Sequence, residues 1–69
     1  MFTFHAIDTY TGELSNMAHL NKDEIDQHMI DVESKFWACQ VVCDLTGKKV
    51  VWAIGENGQW EVHHKEGGF

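Results

Sequence analysis

The chain has 69 residues, 43% of them hydrophobic, enough for one modest core and not for two. Eleven acidic residues oppose five lysines, with no arginine and a formal net charge of −6 at pH 7. This argues against direct binding to nucleic acid, because phosphate-backbone affinity comes from Lys and Arg releasing counterions. No apolar run approaches the ~18–20 residues of a membrane span, and Met1-Phe2-Thr3-Phe4-His5 has neither the basic nor the apolar region of a signal peptide. A cytoplasmic, monomeric protein is expected.

From the N-terminus, Phe2, Phe4 and Ala6 alternate with polar neighbours. Asp8-Thr9-Tyr10-Thr11-Gly12-Glu13 then supplies turn chemistry before a second extended stretch from Leu14 to Ala18. A hairpin is predicted. Asn21 next offers an N-cap with Glu24 three residues later, and Leu20 with Ile25 fits a hydrophobic staple. Ile25, Met29, Val32 and Phe36 recur on one helical face, which predicts a helix over 22–35 packed on a sheet.

At Trp37 the period changes to two, with Trp37, Cys39, Val41, Cys43 and Leu45 on one face of a strand. A two-residue loop at Thr46-Gly47 would set Cys43 opposite Val50, Val41 opposite Trp52 and Cys39 opposite Ile54. For the last hairpin, a three-residue loop with Gly58 in the left-handed region is preferred to a two-residue Asn57-Gly58 loop. It places Trp60 opposite Ile54 and Val62 opposite Trp52, keeping both on the apolar face. The predicted fold is α+β, in ββαβββ order: an antiparallel sheet of four to five strands with one helix packed on one face. Residues 1–66 form the domain and 67–69 a flexible tail. Ile25, Met29, Val32, Phe36, Val41, Trp52 and Ile54 are expected to be largely buried.

Five histidines and two cysteines raise a metal hypothesis, with His5, His19, His63, His64 and the cysteines as donors. Yet no paired CxxC motif occurs, and His63-His64 point to opposite faces of an extended segment. Neither metal nor cofactor is expected. Cys39 and Cys43, about 13 Å apart on one strand, are too distant to form a disulfide, and their apolar neighbours imply raised thiol pKa values and little reactivity. Trp37, Trp52 and Trp60 lack the surrounding basic residues of a base-stacking sheet. No catalytic residues are assigned.

The acidic residues of the helix carry the functional reading. With residues at 100° steps from Ile25, Glu33, Asp26, Asp23, Asp31 and Glu24 fall at about 80° to 260°, and every charge on that arc is negative. Asp23 and Glu24 complement the helix dipole at the first turn, whereas Asp31 and Glu33 oppose it near the C-terminal end. A face shaped for solubility alone would mix signs. Asp23, Asp26, Asp31 and Glu33 are therefore the first partner-binding candidates, with Glu56 and Glu61 on the last hairpin as the second set.

The short acidic domain, in which a helix leads to a strand, a Gly turn, Val51-Trp52-Ala53 and then Asn57-Gly58-Gln59-Trp60-Glu61-Val62, resembles phage-encoded anti-CRISPR proteins that act on type I surveillance complexes. A similar strand order with a Trp on each of the last two strands occurs in a type I-F inhibitor. The resemblance covers about half the chain and carries over no individual contact residue. It implies a non-enzymatic inhibitor in the bacterial host cytoplasm. Its partner would be a basic nucleic-acid-binding protein such as a large or backbone subunit of a type I Cascade complex. A small metal- or ligand-binding domain and an antitoxin-like accessory protein are the alternatives.

Overall fold

The structure is a computed structural model and describes residues 1–66; the expected tail, 67–69, lies outside the described residues. Strands β1 (Phe2–Ile7) and β2 (Leu14–Leu20) precede helix α1 (Lys22–Val32), and β3 (Ala38–Cys43), β4 (Lys49–Ile54) and β5 (Trp60–Lys65) follow it. They form one antiparallel-paired sheet in the order β2-β1-β3-β4-β5, so α1 carries the chain from one edge strand over β1 to β3. This is the predicted α+β architecture with five strands.

The first hairpin turns on the Asp8 carboxylate, which accepts the backbone amides of Tyr10 and Thr11 at 2.8 and 3.1 Å. Its strands pair Phe4 with Ala18 and Ala6 with Ser15, so β2 carries one extra residue across that step. Asn16, at φ 51, takes up the bulge; Asn is among the few residues that tolerate the left-handed region.

Helix α1 begins where its local chemistry requires. The Glu24 carboxylate accepts the Asn21 backbone amide at 2.8 Å, one half of a capping box, and the staple partners Leu20 and Ile25 are both buried. It ends at Val32, three residues before the expected Lys35. The Glu33 amide turns to the Ile30 carbonyl and the Lys35 amide to the Val32 carbonyl, both three residues back. The last turn contains no basic residue, so nothing offsets the adverse placement of Asp31 and Glu33 at the negative end of the dipole.

The β3–β4 register differs from the expected one by two residues. Val41 faces Val50 and Cys39 faces Trp52, and the loop is the four residues 44–47. The Gly47 amide bonds back to the Cys43 carbonyl at 2.7 Å with Gly47 at φ 74. A two-residue slip returns each side chain to its own face, so the hydrophobic alternation satisfies either loop and cannot distinguish them. In the β4–β5 hairpin the preferred register is the observed one: Gly58 sits at φ 79, Ile54 faces Trp60 and Trp52 faces Val62. Beyond it a bulge on β5 sets His64 opposite Val51 and leaves His63 outside the ladder pairs, an irregularity the sequence reading of that strand lacks.

The core is Phe4, Ala6, Leu20, Ile25, Met29, Cys39 and Val41, with Phe2, Ala18, Val32, Phe36, Trp52 and Trp60 packed against it. Phe4 meets the His28 ring edge-on, with centroids 4.5 Å apart. Of the residues expected to be largely buried, Ile25, Met29 and Val41 are; Val32, Phe36, Trp52 and Ile54 are half-buried. Trp37 and Leu45 lie outside β3 and are exposed, so they do not extend its apolar face. The reason is geometric: a helix is about 10 Å across, while five strands at about 4.8 Å spacing span roughly 19 Å. One helix cannot cover the sheet. At the β5 edge the helix-side residue Val62 is 58% exposed.

Candidate functional site

All six candidate acids are exposed, but they do not form one surface. Trp60 is on the helix side of the sheet, since its indole N–H donates to the Met29 carbonyl at 2.8 Å. Its strand neighbour Glu61 consequently faces the open side. Glu61 and Glu56 line a shallow hollow with Ile54, Gly55 and Asn57 at the end of the last hairpin. The Glu61 carboxylate lies across Gly55, in space that a Cβ at that position would occupy. The structure therefore divides the candidates into a helix set, Asp23, Asp26, Asp31 and Glu33, and a hairpin set, Glu56 and Glu61.

Within the helix set the surroundings differ. Asp31 accepts a hydrogen bond from Gln27 Nε2 at 2.9 Å, one turn earlier. Glu33 is the C-cap and Asp23 stands in the first turn. Asp26 lines a groove between α1 and the β4–β5 hairpin made of two hollows that share Asp26 and Trp52, one with Lys22 and Ile25 and the other with Met29, Ile30 and Trp60. Ile30 is 57% exposed, an apolar residue within an arc that the charge pattern marks as acidic. This groove escapes a reading of the sequence because its two walls come from segments about 30 residues apart. The available signal was the placement of Trp52 and Trp60 on the helix side of a sheet wider than one helix covers.

The electrostatics are one-sided. Among the described residues the one side chain within ion-pair distance of a carboxylate is His64, 3.4 Å from Glu66 and an ion pair only when its imidazole is protonated; no lysine lies that close to a carboxylate. Three of the other acids have internal roles: Asp8 in its turn, Glu24 at the helix cap, and Asp44, which accepts from the Thr3 hydroxyl at 2.6 Å. The carboxylates of Asp23, Asp26, Glu33, Glu56 and Glu61 make no hydrogen bond or ion pair among the described residues.

The metal hypothesis fares differently. Among the described residues no three His, Cys, Asp or Glu side chains converge as a metal site would require. His5 lies opposite Gln40 on the open face, and its Nδ1 is buried without a hydrogen-bond partner among the described residues. The two thiols also diverge. Burial pushes Cys39 up to about 12, as the apolar surroundings imply. Cys43 is half-buried at the end of β3, and hydrogen bonds from the Thr46 side chain and backbone hold its pKa below the ordinary thiol value. The expectation of a raised pKa is therefore corrected for Cys43: at the strand end the loop supplies donors to the sulfur and leaves it open to solvent.

No helix among the described residues is long and apolar enough to cross a membrane. No protein-family model matches the chain, no curated protein matches it, and no solved structure matches it. The functional reading accordingly rests on the chemistry of the chain's own surface.

Proposed function

We propose that this protein is a non-enzymatic binding module whose acidic surface occupies a basic, nucleic-acid-binding site on a partner protein. The observation that carries the reading is that no lysine neutralises any carboxylate among the described residues, although the chain holds eleven acids. A net negative charge of this size attracts a positive surface and steers its approach. The helix set is the first contact surface, because Asp31 and Glu33 stand where the helix dipole disfavours them and stability gives no account of them.

The resemblance to anti-CRISPR proteins makes a type I Cascade large or backbone subunit the first partner to try, as an inhibitor of its target-DNA recognition. The test is displacement of a labelled target duplex from the purified complex by increasing amounts of the protein, at low and at physiological salt. Stoichiometric displacement that weakens with salt, and weakens again when Asp26 and Glu33 are reversed to lysine, supports the reading. Displacement that ignores both salt and the reversals removes the acidic helix from it, and no displacement removes Cascade as the partner.

A further inference from the structure

We infer that the groove between α1 and the β4–β5 hairpin receives a single arginine side chain of the basic partner, with Asp26 as its counter-ion and Trp52 and Trp60 as its walls; this rests on the basic-partner reading above and names the contact within it. Trp52 faces Val62 across the ladder and Trp60 faces Ile54, so the two indoles are diagonal neighbours on the helix side. Both rings are half-buried, which leaves part of each open to the groove. The Trp60 indole is fixed by its hydrogen bond to Met29, and so one wall is set before anything binds.

The chemistry of these walls selects the occupant. An apolar side chain would cover the Asp26 carboxylate and remove it from water without giving it a partner, which is unfavourable. Anions are repelled by the same carboxylate. A guanidinium satisfies both kinds of wall at once. It is planar, stacks on indole faces, is more weakly hydrated than an ammonium, and bonds a carboxylate through two parallel N–H groups. Asp26 is free for this, having no bonded partner among the described residues. Its nearest competitor is Lys22, one helical turn away, which lines the end of the groove beside Ile25 and is absent from the end formed by Met29, Ile30 and Trp60. Lysine N-terminal to aspartate is the weaker orientation of an i, i+4 pair, and the two are not within ion-pair distance.

The experiment uses the 69-residue protein and four peptides: nona-arginine, and a short neutral peptide bearing one arginine, one lysine or one citrulline at its centre. Binding is followed through the indole N–H resonances of the three tryptophans and by fluorescence, at low and at physiological salt. The expected result is saturable binding of the one-arginine peptide that shifts the Trp52 resonance and leaves the exposed Trp37 resonance in place. Affinity should be at least threefold lower for the lysine peptide and lower still for citrulline. Asp26→Asn, an exposed substitution with no bearing on the core, should weaken the arginine peptide at least fivefold, while Lys22→Gln should tighten it. Equal binding of arginine, lysine and citrulline overturns the assignment. Nona-arginine that binds in a salt-dependent way without moving the Trp52 resonance, and no more sensitive to Asp26→Asn than to Glu33→Gln, overturns the groove and leaves the basic-partner reading standing. Failure of nona-arginine to bind at low salt removes that reading, and the groove assignment with it.

Discussion

The indole N–H of Trp60 donates to the carbonyl of Met29 at 2.8 Å, joining the edge strand β5 to the last turn of α1 across 31 residues of chain. Met29 is among the final four residues of the helix, where carbonyls run out of intrahelical donors. The same contact therefore serves the helix end and holds the hairpin against the helix. Trp60→Phe keeps most of the ring and removes the donor. It should cost about 0.5–1.5 kcal/mol of stability, read by chemical denaturation, with hydrogen exchange faster in β5 than in β1. Uniform exchange in the two strands would show that the bond does not tie down the edge.

The acidic helix makes a prediction that separates stability from function. Asp31→Asn keeps the acceptor for Gln27 and removes a charge opposed by the dipole. It should stabilise the free protein by about 0.3–1 kcal/mol. Asp26→Lys should leave the melting temperature nearly unchanged, since the residue is exposed and its carboxylate has no partner among the described residues, and Glu33→Lys should raise it, since it places a cation at the negative end of the dipole; both should weaken binding to a basic partner by tenfold or more at low salt, less at high salt. Melting curves beside titrations at two salt concentrations check both parts. A destabilised Asp31→Asn would show that the dipole argument is wrong here.

The two thiols should behave as different chemical species. In the folded protein a thiol-specific reagent should modify Cys43 promptly and Cys39 only after unfolding, and the rate at Cys43 should rise to its plateau at lower pH than for an ordinary thiol. Mass spectrometry of the singly modified protein identifies the site. Prompt modification of both cysteines would mean that β3 opens readily.

Alkaline stability follows from Cys39. Its thiol ionises near 9.0 when unfolded and at about 12 when folded, so above pH 9 the unfolded state releases the proton first. Stability from this group is therefore intact below pH 9 and falls as pH rises, by at most about 1.4 kcal/mol per pH unit, until the folded thiol ionises too. At pH 10.5 this amounts to a loss of about 2 kcal/mol relative to pH 8. Cys39→Val should abolish that slope, and denaturation curves of both proteins at the two pH values measure it.

Gly47 isolates a backbone effect. Its φ of 74 lies in the left-handed region, and a Cβ there would have none of the described residues within 4 Å. Gly47→Ala should cost about 1–2 kcal/mol, and Gly47→Asn less, because Asn tolerates that conformation. An alanine variant as stable as the parent would mean that the loop adopts another turn at no cost.

Where neighbouring residues alone decide the outcome, the sequence was sufficient. Asn21 and Glu24 mark the helix start because the Glu24 carboxylate reaches back to the Asn21 amide within four residues. The Asn57-Gly58 hairpin reveals its register because only one of the two loop lengths keeps Trp60 and Val62 on the apolar face. The acidity of the helix was equally legible, being a matter of composition and of a 3.6-residue period.

Other features depended on how distant segments meet. The β3–β4 loop has four residues rather than two, and both lengths satisfy the same alternation, so pairing across the whole sheet had to choose. The insertion of β1 between β2 and β3, the separation of Glu61 from the helix acids, and the groove beside Asp26 all follow from strand order and from the width of one helix against five strands. Local patterns state which face of a segment is apolar; they do not state which part of that face another segment will leave uncovered. Tertiary packing decided that Trp52, Trp60 and Asp26 would share a wall, because hydrophobic burial is non-directional and the positions of the uncovered remainder are set by the geometry of the elements that do the covering.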